Sequence, residues 1–205
     1  MKNLWFLSSL VLVLVSCNSF IGKNIQNSIV VNQSKEGSRS DTLTVRQYKT
    51  KISFKTTEIT GILICKKVKE DTLRGAFINE FGIKGFDFTL TEKGAKMGYM
   101  IRNLDKWYIR KTLGKDLHFA FYLPKDLSMC TVNDTTVYVA TVNRRLHYVY
   151  HKASENSIFR ADRYKRGRKT ATKELYTNDK SQNAIRLRHA DGAIQYEFSD
   201  INKTL

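Results

Sequence analysis

Few side chains in this 205-residue chain are equipped for chemistry. There are three cysteines, Cys17, Cys65 and Cys130, and four histidines, His118, His147, His151 and His189. His147 and His151 lie four apart in Leu-His-Tyr-Val-Tyr-His, a strand-like run. On a strand they share a face but stand about 13 Å apart at about 3.3 Å per residue, too far for one metal. Helical spacing would suit a zinc pair, but no glutamate of a zincin pattern accompanies them. No nucleophile elbow, P-loop or dinucleotide fingerprint occurs, and nothing pairs Glu80 with Asp116 as working carboxylates. The expectation is a protein that is not an enzyme and holds no cofactor and no metal. The densest charge runs from Arg160 to Lys169. Its Arg163, Lys165, Arg166, Arg168 and Lys169 are candidates for contact with anionic headgroups, each worth about 1 kcal/mol at such a surface. A solvated hairpin tip is the other reading of the same stretch.

Cys17 owes its interest to what precedes it. Lys2 supplies a positive start, Leu10 to Val15 an unbroken apolar run, and Ser16 a small residue before the cysteine. That order describes a secretory signal over residues 1–16, too short to span a bilayer. Leu14-Val15-Ser16-Cys17 resembles the bacterial lipobox, which implies cleavage before Cys17 and acylation of its thiol by palmitate-type chains. Several chains on one cysteine make a durable membrane anchor, since each buried CH₂ adds about 0.8 kcal/mol. Asn18-Ser19-Phe20-Ile21-Gly22 carries no acidic cluster. The expected location is therefore the bacterial envelope, on the outer membrane facing the periplasm. If Cys17 is acylated, Cys65 and Cys130 remain as a disulfide pair or as two buried thiols.

The formal charge of +16 implies an anionic partner or a basic solvated face. Export argues against nucleic acid and for lipid headgroups. Aromatic residues make up 11% of the chain and proline occurs once, so a packed domain is expected rather than disorder. Residues 17–42 are polar apart from Ile29-Val30-Val31 and read as the lipidated cysteine with a tether. Residues 43–205 read as one domain.

Within that domain the texture is mostly that of strands. Residues 44–57, Gly61–Cys65, Leu73–Phe81, Phe86–Thr91 and Met97–Ile101 come first. Six further segments lie between Thr136 and Phe198, with Asp191-Gly192 a hairpin signal. Phe86, Phe88 and Leu90 fall on one face of their strand, with Asp87, Thr89 and Thr91 on the other. Between the halves, Leu104, Trp107, Tyr108, Thr112 and Leu113 follow helical spacing, with Asn103 as a cap. Gly114 either ends or interrupts that helix, and Asp116-Leu117 can start a second piece. The sum is mainly β (α+β): an antiparallel sheet of roughly ten or eleven strands with one or two helices.

Leu73 to Phe88, a strand leading through glycines into a second strand, resembles a central segment of LolA/LolB-like envelope lipoproteins. Asn183–His189 with Ile194–Phe198 resembles that family's last two strands, and the helix is in the expected order. The resemblance covers about residues 44–201. It implies a strongly curved half-barrel with covering helices over an apolar cavity that takes up acyl chains of lipoproteins or other lipids. Phe86, Phe88, Leu90, Leu104, Trp107 and Tyr108 are the cavity candidates; packing of sheet against helix with no cavity is the alternative. The family's receptor inserts an exposed apolar loop into the membrane, and no such loop is identifiable here. The expected function is a membrane-anchored lipoprotein that binds or transfers acylated or amphiphilic cargo. The alternative is a structural or scaffolding lipoprotein with a filled core.

Overall fold

Alternation builds the sheet. The computed structural model describes residues 29–32, 45–55, 57–124, 126–132, 135–154, 157–177 and 183–201. The signal stretch and Cys17 lie outside the described residues. In β5 (Lys84–Thr91), Phe86, Phe88 and Leu90 are all buried while Asp87, Thr89 and Thr91 are half-buried, the two-residue period of a strand covered on one face. The same inward set recurs as Tyr48 and Thr50 in β2 (Val45–Phe54) and as Leu63 and Cys65 in β3 (Thr57–Lys69). In β4 (Thr72–Asn79) it is Gly75 and Phe77. With β6 (Gly94–Met100) these strands form a meander.

A second meander follows the helix α1 (Trp107–Phe121): β7 (Asp126–Val132), β8 (Thr135–Asn143), β9 (Leu146–Ser154), β10 (Ser157–Lys165), β11 (Arg168–Thr177), β12 (Asn183–His189) and β13 (Ile194–Asp200). β13 pairs antiparallel with β2, from Asp200 opposite Tyr48 to Ile194 opposite Phe54, which fuses the two meanders into one sheet. β1 (Ile29–Asn32) pairs with β7 at the far edge, so part of the stretch read as tether joins the sheet. Among the described residues the order is β1-β7-β8-β9-β10-β11-β12-β13-β2-β3-β4-β5-β6, antiparallel throughout and unclosed. The mainly β, antiparallel expectation holds. The count is thirteen, because β1 is a four-residue strand in a polar stretch and β7 mixes Asp126, Ser128 and Thr131 among its apolar residues.

The helix is a single element. It starts after Lys106, not Asn103, and runs through Gly114 without a break. A Cβ at 114 would meet the Ala95 Cβ of β6 at 3.4 Å, so the glycine lets helix and strand approach closely rather than ending the helix.

One short helix also reveals the curvature. Arg110 donates to the Met97 and Gly98 carbonyls of β6, and His118 reaches Thr91 of β5 and Tyr148 of β9. Phe121 packs on Tyr48 of β2 and Phe198 of β13. From β6 to β9 is about 43 Å along a flat sheet, at about 4.8 Å per strand. A helix about 10–12 Å across can touch both only if the sheet wraps around it. The core is the space so enclosed. Leu113, Leu117, Phe119 and Ala120 of α1 face Phe77, Phe86, Phe88, Tyr148, Tyr196 and Phe198. The contacts include Phe119–Tyr148 at 4.7 Å and Phe77–Phe86 at 5.1 Å.

Candidate functional site

The apolar candidates divide between core and surface. Phe86, Phe88 and Leu90 line the concave wall, but the wall is filled by α1, and Leu104 packs half-buried against the same cluster. Trp107 and Tyr108, expected over that wall, stand instead at the surface, 74% and 55% exposed. The reason is where the helix meets the sheet. Its buried residues are Leu113, Gly114 and Asp116 to Ala120, so its first turn projects beyond the wall.

A cleft of about 630 Å³ opens where α1 meets the ends of five strands. Lys111, Thr112 and Lys115 come from the helix, and Asn143, Arg145 and Leu146 from the β8–β9 turn. The β10–β11 hairpin adds Arg163, Lys165, Arg166, Lys169 and Thr170, and the β12–β13 end adds His189, Ala190 and Asp191. Lys165 faces Arg168 across a two-residue turn in which Arg166 and Gly167 have φ of 51° and 77°. Positive φ at both positions marks the tight turn of a hairpin. Lys165, Arg166 and Arg168 are exposed there, and the first two line the cleft.

Arg163 behaves otherwise. Its side chain is 7% exposed and donates to Asp116 Oδ1 at 2.7 Å and to Thr170 Oγ1 at 3.1 Å. It therefore braces the fold, and the expectation that it faces a membrane is corrected. Lys169 is exposed but pairs with Asp162 at 2.9 Å.

Asp116 is the hub under the cleft. Oδ2 accepts from Tyr196 at 2.7 Å and from His189 Nε2 at 2.9 Å. Burial alone would raise this carboxyl. The His189 hydrogen bond, the Arg163 charge and the Tyr196 hydroxyl outweigh it and hold the group below its usual range. Burial and the adjoining carboxylate push the Tyr196 hydroxyl well up.

His118 has a fixed tautomer. Nε2 lies 3.0 Å from the Thr91 carbonyl and must donate to it, so Nδ1 accepts from the Tyr148 hydroxyl at 3.2 Å. Burial lowers its pKa, which keeps the ring neutral. The Lys173 amine is buried between the Phe119 and Tyr150 rings at 5.5 and 5.7 Å, and burial lowers it to about 8. The helix thus meets the wall through polar bonds as well as hydrocarbon.

Cys65 and Cys130 are both free and buried, and burial pushes the Cys65 thiol up to about 12. His147 and His151 both lie on β9, with Thr141 and Asp162 as partners. Among the described residues no three His, Cys, Asp or Glu side chains converge as a metal site. One apolar feature went unread in the sequence: at the β4–β5 turn, Phe81 is 87% and Ile83 50% exposed.

No protein-family model and no curated protein matches the chain. Solved structures do resemble it. They include a LolA superfamily protein from Nitrosomonas europaea (10% identity, 77% of this chain and 83% of that chain, TM-score 0.49). A domain from Vibrio parahaemolyticus named for outer membrane lipoprotein sorting matches at 10% identity, over 78% and 86% of the two chains, with a TM-score of 0.43. A DUF1329 family protein from Desulfovibrio piger matches at 10% identity, over 79% and 85%, with a TM-score of 0.42.

Proposed function

We propose that the chain is a lipoprotein of the bacterial envelope, anchored through an acylated Cys17 to the outer membrane facing the periplasm. Its half-barrel binds or transfers an acylated or amphiphilic cargo and catalyses no reaction. The observation that carries this reading is that, among the described residues, one helix fills a strongly curved apolar wall. If α1 moves aside, Phe86, Phe88 and Leu90 become the lining of a groove. Apolar burial favours the exchange, with the Asp116 and His118 bonds that tie α1 to the strands set against it. Leu113, Leu117 and Phe119 gain about 1.5–3 kcal/mol each by burial, roughly 5–9 in all. An acyl chain of about sixteen carbons gains about 12 kcal/mol at about 0.8 per CH₂. The exposed Phe81 and Ile83 give the domain an apolar tip suited to touching a bilayer.

The test is to tie the helix down. Ala95→Cys with Gly114→Cys places two thiols on Cβ atoms about 3.4 Å apart, close to the spacing of a disulfide. The oxidised variant should take up no labelled palmitoyl lipid, and the reduced variant should take it up as the parent does. Equal uptake in both states contradicts a displaceable helix.

The second reading, a scaffolding lipoprotein with a solid core, is favoured by one observation: of the residues around the cleft of about 630 Å³, most are charged or polar, with Leu146 and Ala190 the apolar ones. It predicts no uptake in either state.

A further inference from the structure

The cleft holds more positive charge than the fold uses. Seven basic side chains line it against two carboxylates, Asp116 and Asp191. Asp116 is already committed to Arg163, His189 and Tyr196, and Lys169 is committed to Asp162. Among the described residues, Lys115, Arg145, Lys165 and Arg166 have no carboxylate within ion-pairing distance. They converge on one concavity, and its two hairpin walls are tied together by the Arg166 N–H donating to the Arg145 carbonyl at 2.8 Å. Held cations that cannot splay apart repel one another, and an anion between them relieves that cost. The Lys115 amine shows the crowding: desolvation lowers it, and the Lys165, Lys111 and Arg163 charges lower it further against the opposing pull of Asp116.

The surroundings indicate what carries the anion. Lys111, on the cleft wall, lies over the Trp107 ring at 5.7 Å, and Trp107 stands edge-on to Tyr108 at 6.1 Å. Exposed Trp and Tyr beside basic side chains suit a membrane–water interface, where the rings sit at headgroup level. We propose that this cleft binds the phosphate group of a lipid headgroup, with Trp107 and Tyr108 lying at the bilayer interface beside it. The inference rests on the amphiphile reading above for the source of the phosphate; the cations select an anion whichever molecule bears it.

The test is titration calorimetry on the full-length protein in a neutral detergent, with three probes: dihexanoyl phosphatidate, dihexanoyl phosphatidylcholine and inorganic phosphate. Phosphatidate should bind most tightly, and its affinity should fall as sodium chloride is raised. The triple variant Lys115→Gln, Arg145→Gln, Lys165→Gln should lose about a hundredfold, at about 1 kcal/mol per cation. Removing the same charge elsewhere, as Lys66→Gln, Lys69→Gln, Lys93→Gln, should change nothing. Equal affinity for phosphatidate and phosphatidylcholine would overturn the anion site while leaving the amphiphile reading intact. Phosphatidate no tighter than inorganic phosphate would overturn the lipid source. Should the triple variant fail to fold, the parent's salt series decides: an affinity for phosphatidate indifferent to salt refutes the site.

Discussion

Asp116 ties the helix to three strands through one carboxylate, and its loss should be felt as a loss of stability. Asp116→Asn would leave the Arg163 guanidinium, 7% exposed, without a counter-charge. Breaking a buried pair from one side costs about 3–5 kcal/mol. Urea denaturation of the variant should show a loss in that range; a loss under about 1 kcal/mol would mean the hub is not a structural anchor. The hub was not legible in the sequence: with Asp116 read as the start of a second helical piece, the buried face it shares with Leu113, Leu117 and Ala120 went unseen. Its partners were not legible. Arg163, His189 and Tyr196 lie 47, 73 and 80 positions away, and no local pattern reports a contact over that distance. For the same reason Arg163 reads in sequence as one more surface cation of its stretch.

Among the elements, strands with one covered face could be read from alternation, and β5 follows its pattern residue by residue. The face of α1 was harder. Trp107 and Tyr108 are large and apolar enough to suggest a covered face, yet burial depends on where the sheet ends, which spacing along one helix does not encode. Glycines in the strands are a further element-scale feature. At Gly61 a Cβ would stand 2.2 Å from the Ile78 carbonyl oxygen and 2.8 Å from the Phe77 ring, and at Gly75 it would stand 2.3 Å from the Phe88 ring. The tips of the aromatic rings take the space that a side chain at these glycines would fill, which lets the rings pack against bare backbone. Gly61→Ala should therefore destabilise by about 1–3 kcal/mol, as overpacking does, because the neighbour is backbone and cannot turn away. Thermal unfolding of the variant checks this, and an unchanged midpoint would mean that β3 and β4 separate at little cost.

The whole molecule combines a cationic rim, an apolar concave wall and, by proposal, a lipid foot. Its formal charge of +16 is visible in composition, but the gathering of seven basic side chains at one cleft depends on hairpin ends meeting a helix in space. Strand order was legible only as a run of hairpins; the pairing of β13 with β2 that turns two meanders into one curved sheet joins opposite ends of the domain.

The most direct measurement is native mass spectrometry of the full-length protein extracted from its membranes, followed by collisional activation. The account predicts a chain starting at Cys17 with an acyl mass that survives activation, and in addition a lipid mass that activation strips away. A chain still starting at Met1, or one that carries no dissociable lipid, would contradict it.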